Sequence, residues 1–167
     1  NITILSEGGG MKIQDIKKTT VIGAGAMGAQ IAEVLSRMGR YEVWMVDIND
    51  ELVRKGFQSI EDRLDRFFVS KGKQTPEEKK NIVNRIKGST SIEEASKGAD
   101  LVIEAVIEKM SLKKEIFKKL DESTPSHAIL ASNTSYLNIS EMASATKRPE
   151  EVVGIHFFNP VAVMRLV

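Results

Sequence analysis

Short apolar segments and helical stripes alternate along the chain from about residue 17 onward. The apolar segments are five to seven residues long, and the first two end at Gly23 and Asp47. This length and this ending favour strands that are buried in a sheet. The predicted strands cover residues 19–23, 42–47, 100–106, 128–132 and 152–158.

Between the predicted strands, apolar residues recur at the three- and four-residue spacing that lines one face of a helix. The stripe from Ile31 to Met38 is one example. Another helix is predicted to begin at Thr75-Pro76, because Thr75 and Glu78 have the residue types and the spacing of a capping box and proline is favoured in the first turn. The predicted helices cover residues 28–38, 50–68, 76–87, 111–122 and 139–146.

This alternation of strands and helices is typical of an α/β protein with a mainly parallel sheet and helices on both faces. The helical pair at 50–87 is longer than one crossover needs, so we interpret it as an insertion after the second strand. Residues 11–167 have the size of one domain. Residues 1–10 end in three glycines, which indicates an N-terminal extension or a cloning remnant.

Composition excludes several classes of protein. The apolar types make up 41% of the 167 residues, and with the 12 glycines this matches a globular protein rather than a disordered one. The 24 basic and 23 acidic residues leave no basic surplus for nucleic acid binding. The absence of cysteine excludes disulfides, iron–sulfur clusters and thiolate zinc sites.

No apolar run approaches the roughly 18 residues of a membrane span, and no signal peptide is recognisable. We therefore expect a cytoplasmic protein that binds neither nucleic acid nor membranes, and we predict no metal site.

A glycine fingerprint follows the first predicted strand and opens the first predicted helix. Gly23, Gly25 and Gly28 have the G-x-G-x-x-G spacing, and Asp47 ends the next strand 19 residues after Gly28. In dinucleotide-binding proteins the glycines allow a tight turn, close approach of the pyrophosphate and close helix packing, while the acidic residue binds the ribose. The predicted cofactor-binding residues of this segment are Gly23, Ala24, Gly25, Ala26, Met27, Gly28 and Asp47.

The cofactor predicted from Asp47 is NAD. A carboxylate repels the 2′-phosphate of NADP, and residues 48–50 contain no arginine to receive that phosphate. The alternative interpretation is a glycine turn kept for packing, with Asp47 as a helix cap. FAD-binding proteins share the fingerprint, but a chain of this size has no obvious room for the flavin ring.

Polar residues also follow the last two predicted strands. His156 lies near the carboxyl end of the strand at 152–158, and residues 132–135 (Ser-Asn-Thr-Ser) close the strand before it. Ligands of open α/β sheets bind at that edge, and a histidine with its ordinary pKa of about 6.5 suits proton transfer from a hydroxyl group. Taken alone, His156 also fits a hydrogen-bonded core histidine, and Glu108 with Lys113 fits a solvated charge pair.

Four segments and the single residue Asp47 together resemble the 3-hydroxyacyl-CoA dehydrogenase family, including the 3-hydroxybutyryl-CoA dehydrogenases. They are GAGAMG with Asp47, EAVIEKMSLKKEIF, SNTS and HFFNPVAVMRLV, and the similarity runs from about residue 17 to residue 167. The resemblance implies a Rossmann-type, doubly wound fold and an enzyme of fatty acid β-oxidation. The implied reaction converts (S)-3-hydroxyacyl-CoA and NAD⁺ to 3-ketoacyl-CoA and NADH.

By the same resemblance His156 corresponds to the catalytic base, and Ser135 to the serine that holds the substrate hydroxyl and contacts the nicotinamide region. Glu108, Lys113 and Asn159 correspond to NAD-contacting residues. The helical pair at 50–87 corresponds to the part that contacts the CoA moiety.

Family members continue beyond the position of Val167 with a glutamate that pairs with the catalytic histidine and with a helical domain that forms a homodimer. We therefore expect this chain to bind NAD but to be a poor dehydrogenase alone. Two alternatives remain: a non-catalytic dinucleotide-binding protein, and a Rossmann dehydrogenase for a small hydroxy acid or a nucleotide-sugar. The SNTS and HFFNP segments favour the 3-hydroxyacyl-CoA dehydrogenase over both.

Overall fold

One fully parallel sheet of six strands organises the protein in the computed structural model, which describes residues 12–164 and residue 167. The strand order is β3-β2-β1-β4-β5-β6. The strands are β1 Lys18–Ile22, β2 Glu42–Val46, β3 Ile86–Ser89, β4 Leu101–Glu104, β5 Ile129–Ser132 and β6 Val152–Gly154. The helices are α1 Ala26–Val34, α2 Asp50–Leu64, α3 Pro76–Asn84, α4 Ile92–Ser96, α5 Met110–Ser123 and α6 Ile139–Ala143.

Apolar side chains cover both faces of the sheet, which explains why the strands were recognisable as continuous apolar runs. On one face Val21, Met45 and Ile103 pack against α1 and α2. On the other face Ile22 and Val102 pack against α4 and α5. The predicted α/β class, with a doubly wound sheet, is therefore confirmed.

The strand order reverses at β1. The chain builds β1, β2 and β3 outward on one side, and then crosses to β4, β5 and β6 on the other side. Such a reversal leaves a crevice beyond the carboxyl ends of the two central strands, here β1 and β4. The fingerprint glycines and the residues that follow β4, β5 and β6 all lie at this edge.

The region between β2 and β4 differs from the prediction. The helix predicted for 76–87 ends at Asn84, and Ile86–Ser89 forms an edge strand that pairs with β2 through Val43 and Ile86. The helical pair is thus the crossover from β2 to β3, and a short helix, α4, returns the chain toward β4. Strand β3 has a single buried residue, so its sequence lacks the apolar run by which the other strands were recognised.

The last strand is shorter than predicted. Strand β6 ends at Gly154, and His156 lies in the following loop rather than on the strand. The predicted extension at residues 1–10 lies outside the described residues. Within residues 12–164, no helix combines the length and the apolar character that crossing a membrane requires.

Candidate functional site

The three fingerprint glycines differ in what an added side chain would meet. Gly23 has φ +105°, and a Cβ there would lie 2.8 Å from the carbonyl oxygen of Ala105. A Cβ on Gly28 would lie 1.8 Å from the carbonyl oxygen of Gly23, so the first turn of α1 packs directly on the loop. A Cβ on Gly25 would have no atom within 4 Å. The space next to Gly25 is therefore open to a ligand, whereas Gly23 and Gly28 are required by the protein itself.

Asp47 is fixed against this glycine loop. Its Oδ2 accepts a hydrogen bond from the N–H of Ala24 at 2.7 Å, and its Oδ1 accepts one from the N–H of Ile48 at 2.7 Å. The carboxylate thus joins the end of β2 to the loop after β1. Of the other fingerprint residues, Ala26 is exposed and Met27 packs against the core.

A cavity of about 600 Å³ opens beyond the carboxyl ends of β1, β2 and β4. Gly23, Gly25 and Asp47 line it together with two strongly exposed isoleucines, Ile48 at 84% and Ile107 at 70%. It therefore combines a helix N-terminus that attracts a pyrophosphate, a carboxylate that accepts hydrogen bonds and apolar walls for a base. The residues present fit a dinucleotide.

Ser135 and His156 form a hydrogen-bonded pair outside this cavity, at the same edge of the sheet. Ser135 Oγ and His156 Nε2 are 2.9 Å apart. Asn133 Oδ1 accepts a hydrogen bond from the N–H of Phe157 at 2.8 Å, which fixes the backbone next to the histidine. The ring of Phe158 contacts the imidazole edge-on, with centroids 4.7 Å apart. The structure thus brings together the two residues predicted to be catalytic.

Glu108 holds the turn that carries Ser135. Its Oε2 accepts from the Thr134 hydroxyl at 2.8 Å, and its Oε1 accepts from the N–H of Ser135 at 3.0 Å. Burial alone would raise the pKa of Glu108, but these two donors and the nearby Lys113 ammonium outweigh it and hold the pKa below the ordinary value of 4.5. The carboxylate of Glu108 is therefore ionised at neutral pH in the folded protein.

This pKa shift predicts how the stability of the turn depends on pH. A carboxyl group with a lowered pKa in the folded state stabilises the fold fully above its unfolded pKa, and this stabilisation is lost as the pH falls through the folded value. Thermal unfolding of Glu108→Gln should therefore show a lower Tm than the wild type, by a margin that is constant above pH 4.5 and shrinks below it.

Glu122→Gln, at an exposed position of α5, is the matched control for this series. A Glu108→Gln margin that stayed constant down to the acid limit of folding would contradict the assigned hydrogen bonds.

Lys113 is buried, which corrects the interpretation of Glu108 and Lys113 as a solvated pair. Its side chain is 1% exposed, and Nζ lies 2.7 and 2.8 Å from the two carboxylate oxygens of Glu104. Glu108 Oε2 lies 3.4 Å from the same Nζ. Glu104 was not among the predicted residues, although an acidic residue within a buried strand is itself a signal that it has a partner.

Asn159 contacts helix α1. Its Oδ1 accepts a hydrogen bond from Gln30 Nε2 at 3.2 Å, and Gln30 Oε1 accepts one from the N–H of Val161 at 3.0 Å. Gln30 is buried in the middle of α1, so it attaches the segment that follows His156 to the helix that follows the glycine loop. This role of Gln30 was not predicted from the sequence.

His127, the second histidine, lies at the opposite edge of the sheet. Its ring is 55% exposed, and Nε2 is 3.3 Å from Asp100 Oδ1. Both residues precede their strands, β5 and β4, so they are remote from the carboxyl edge. His127 is therefore a surface residue.

The relationship of the chain to known proteins agrees with this geometry. Residues 18–167 match the family model described as "3-hydroxyacyl-CoA dehydrogenase, NAD binding domain". A probable 3-hydroxybutyryl-CoA dehydrogenase of Bacillus subtilis is 48% identical over 153 residues, which are 92% of this chain and 52% of that protein. The mitochondrial hydroxyacyl-coenzyme A dehydrogenase of Rattus norvegicus is 42% identical over 156 residues, which are 91% of this chain and 49% of that protein.

A solved structure has the same fold. The (S)-3-hydroxybutyryl-CoA dehydrogenase of Ralstonia eutropha superposes with a TM-score of 0.84 at 42% identity, over 89% of this chain and 52% of that one. The chain therefore spans about half the length of the relatives that it matches. The cofactor named for the family is the NAD predicted from Asp47. The resemblance found in the sequence is confirmed, and the chain belongs to the NAD-binding domain family of the 3-hydroxyacyl-CoA dehydrogenases.

Proposed function

We propose that this chain is the NAD-binding half of an enzyme that oxidises (S)-3-hydroxyacyl-CoA to 3-ketoacyl-CoA. The observation that carries the proposal is the contact of 2.9 Å between Ser135 Oγ and His156 Nε2, at the sheet edge that also holds the glycine loop. A protein that only bound a dinucleotide would need neither residue. The dehydrogenases to which the chain is similar support the same reaction.

The proposed division of roles follows from the chemistry of the two groups. His156 Nε2 accepts the proton of the substrate hydroxyl, since imidazole is the side chain suited to that transfer near neutral pH. Ser135 Oγ, which lies against the same nitrogen, holds that hydroxyl in position. NAD, when bound, supplies the acceptor for the hydride that leaves the same carbon atom.

The remaining predicted residues are proposed to bind the cofactor. The glycine loop and the N–H groups of α1 would hold the pyrophosphate, and Asp47 would hold the adenosine ribose. We propose that Glu108, Ser135 and Asn159 contact the nicotinamide half. Lys113 is engaged by two carboxylates, so its contribution would act through Glu108.

We also propose that residues 11–167 form one domain. We propose the cytoplasm as its location, and a sequence without cysteine is consistent with that compartment. The homodimer and the helical domain implied by the resemblance stay predictions, as does the absence of nucleic acid binding.

Turnover is the direct test of the proposal. The intact protein that carries this domain should oxidise NADH in the presence of acetoacetyl-CoA, as followed by the absorbance of NADH. A protein that binds NADH but shows no turnover with acetoacetyl-CoA would contradict the proposed activity.

The charge of Asp47 should control the choice between the two nicotinamide cofactors. Calorimetric titration should give tighter binding of NAD⁺ than of NADP⁺ by about 1.4 kcal/mol or more, which is roughly tenfold. Asp47→Asn retains an oxygen for the N–H of Ala24 but removes the charge that repels the 2′-phosphate, so the difference should narrow.

Asp62→Asn is the matched control, because Asp62 is an exposed carboxylate near the other end of α2. Equal affinities of the wild type for both cofactors would refute the argument from Asp47.

A further inference from the structure

Glu104 is the last residue of β4, and it is completely buried. Three donor groups make four hydrogen bonds to its two carboxylate oxygens. Oε1 accepts from the N–H of Val106 at 2.7 Å, Oε2 accepts from the Ser132 hydroxyl at 2.7 Å, and Lys113 Nζ contacts both oxygens. A buried carboxylate with this many donors joins the end of β4 to β5 and to α5.

The contacts of Glu104 continue without a gap to the proposed catalytic pair. Lys113 Nζ lies 3.4 Å from Glu108 Oε2, and Glu108 accepts hydrogen bonds from Thr134 and from the N–H of Ser135. Ser135 Oγ then meets His156 Nε2. Each link is a hydrogen bond or an ion pair, and together the links join the end of β4 and helix α5 to the loops after β4, β5 and β6.

We propose that Glu104 is a positioning residue for the Ser135–His156 pair, and that it acts by neutralising Lys113 so that Glu108 remains bound to the turn at 134–135. The proposal rests on the proposed function for the meaning of that pair, but not for its geometry. A purely structural ion pair between β4 and α5 would stabilise the fold without affecting the position of Ser135 relative to His156.

Lys113 and the turn at 134–135 compete for the carboxylate of Glu108. Lys113 is buried between two carboxylates, and Glu104 takes the closer contacts with both of its oxygens. Without the charge of Glu104, the carboxylate that remains near the ammonium group among the described residues is Glu108, and Lys113 is drawn toward it. Glu108 would then exchange its bonds to Thr134 and Ser135 for the ion pair, and the serine would be free to move away from His156.

Glu104→Gln is the variant that tests this competition. An amide keeps one acceptor oxygen and turns an NH₂ group toward donors, so the carboxylate function is lost at nearly constant volume. The readout is the ring ¹⁵N resonances of histidine in the chain without cofactor or substrate. The chain has two histidines, so His127, at the other edge of the sheet, serves as an internal reference.

The expected result is a displacement of the His156 ring resonances in Glu104→Gln, with those of His127 unchanged. Hydrogen exchange of the Ser135 amide should become roughly tenfold faster or more, because this N–H loses its bond to Glu108. Asp121→Asn is the matched control: it breaks another largely buried ion pair, with Arg148, and should leave His156 unmoved.

The double variant Glu104→Gln/Lys113→Met separates positioning from simple support of the fold. Removal of the ammonium together with the carboxylate ends the competition, so His156 and the Ser135 amide should return toward their wild-type behaviour. If Glu104 only supported the fold, the double variant would be disturbed at least as much as the single one. This comparison also decides the case if Glu104→Gln alone does not fold, since a displaced His156 in the double variant then overturns the proposal.

Wild-type His156 resonances in a folded Glu104→Gln would equally overturn the proposal. Neither measurement needs NAD or a CoA ester, so its outcome is independent of the acetoacetyl-CoA assay. A failure of the proposed function and a failure of this inference can therefore be told apart.

Discussion

His156→Ala in the intact protein should lower kcat for acetoacetyl-CoA and NADH by roughly 10²–10⁴-fold, the usual contribution of one general acid or base. The imidazole is the group that would exchange a proton with the substrate oxygen, and Ser135 Oγ, 2.9 Å from Nε2, cannot replace it as a base. The affinity for NADH should change little, because His156 lies outside the cavity that contains the glycine loop and Asp47.

His127→Ala is the matched control for this prediction. It removes the only other histidine, which is exposed at the opposite edge of the sheet, and should leave kcat unchanged. Ser135→Ala should reduce kcat less than His156→Ala does, since the serine positions the hydroxyl rather than accepting its proton. Normal turnover of His156→Ala would show that the base is a different group.

The fold was predictable from the sequence where burial imposes a continuous apolar run. Strands β1, β2, β4 and β5 have such runs because α-helices cover both faces of the sheet. Strand β3 could not be found in this way. Only Ile86 of its four residues is buried, and its strand conformation depends on pairing with β2, a contact between residues 43 and 86 that no local pattern encodes.

The residues of the candidate site were likewise predictable only where a local sequence pattern marks them. The glycine fingerprint has a fixed local spacing, so the residues of that loop and Asp47 were predictable from the residues alone. Glu108 and Lys113 lacked such a pattern and were selected only through the family resemblance. Glu104 was missed because its partners, Ser132 and Lys113, come from two other elements of the fold.

The position of His156 also depends on tertiary contacts. The run at 152–158 favours a strand, yet β6 ends at Gly154 and the histidine lies in the loop beyond it. Asn133 holds the N–H of Phe157, and Gln30 holds the N–H of Val161, so two other elements determine the path of this loop. Neither contact follows from the sequence of the loop itself.

Gly25→Ala and Gly28→Ala should separate cofactor binding from folding, although both remove a glycine of the same fingerprint. Gly25 has φ −71°, which alanine adopts freely, and its Cβ would meet no atom of the protein within 4 Å. The stability of Gly25→Ala should therefore stay within about 1 kcal/mol of the wild type. The added methyl group would occupy the space through which a pyrophosphate approaches the backbone. Binding of NAD⁺ should weaken by about 1.4–2.8 kcal/mol, which is roughly ten- to a hundredfold.

Gly28→Ala, in contrast, should mainly lower the stability of the fold. Its Cβ would lie 1.8 Å from the carbonyl oxygen of Gly23 and 2.8 Å from the carbonyl carbon, both of which belong to the backbone and cannot rotate away. Helix α1 would have to move off β1, and the free energy of unfolding should fall by about 3 kcal/mol or more. Urea unfolding and calorimetric titration with NAD⁺ measure the two effects on the same samples. Wild-type NAD⁺ affinity in a folded Gly25→Ala would mean that the pyrophosphate does not approach the loop at Gly25, and the binding mode inferred from the fingerprint would then be wrong.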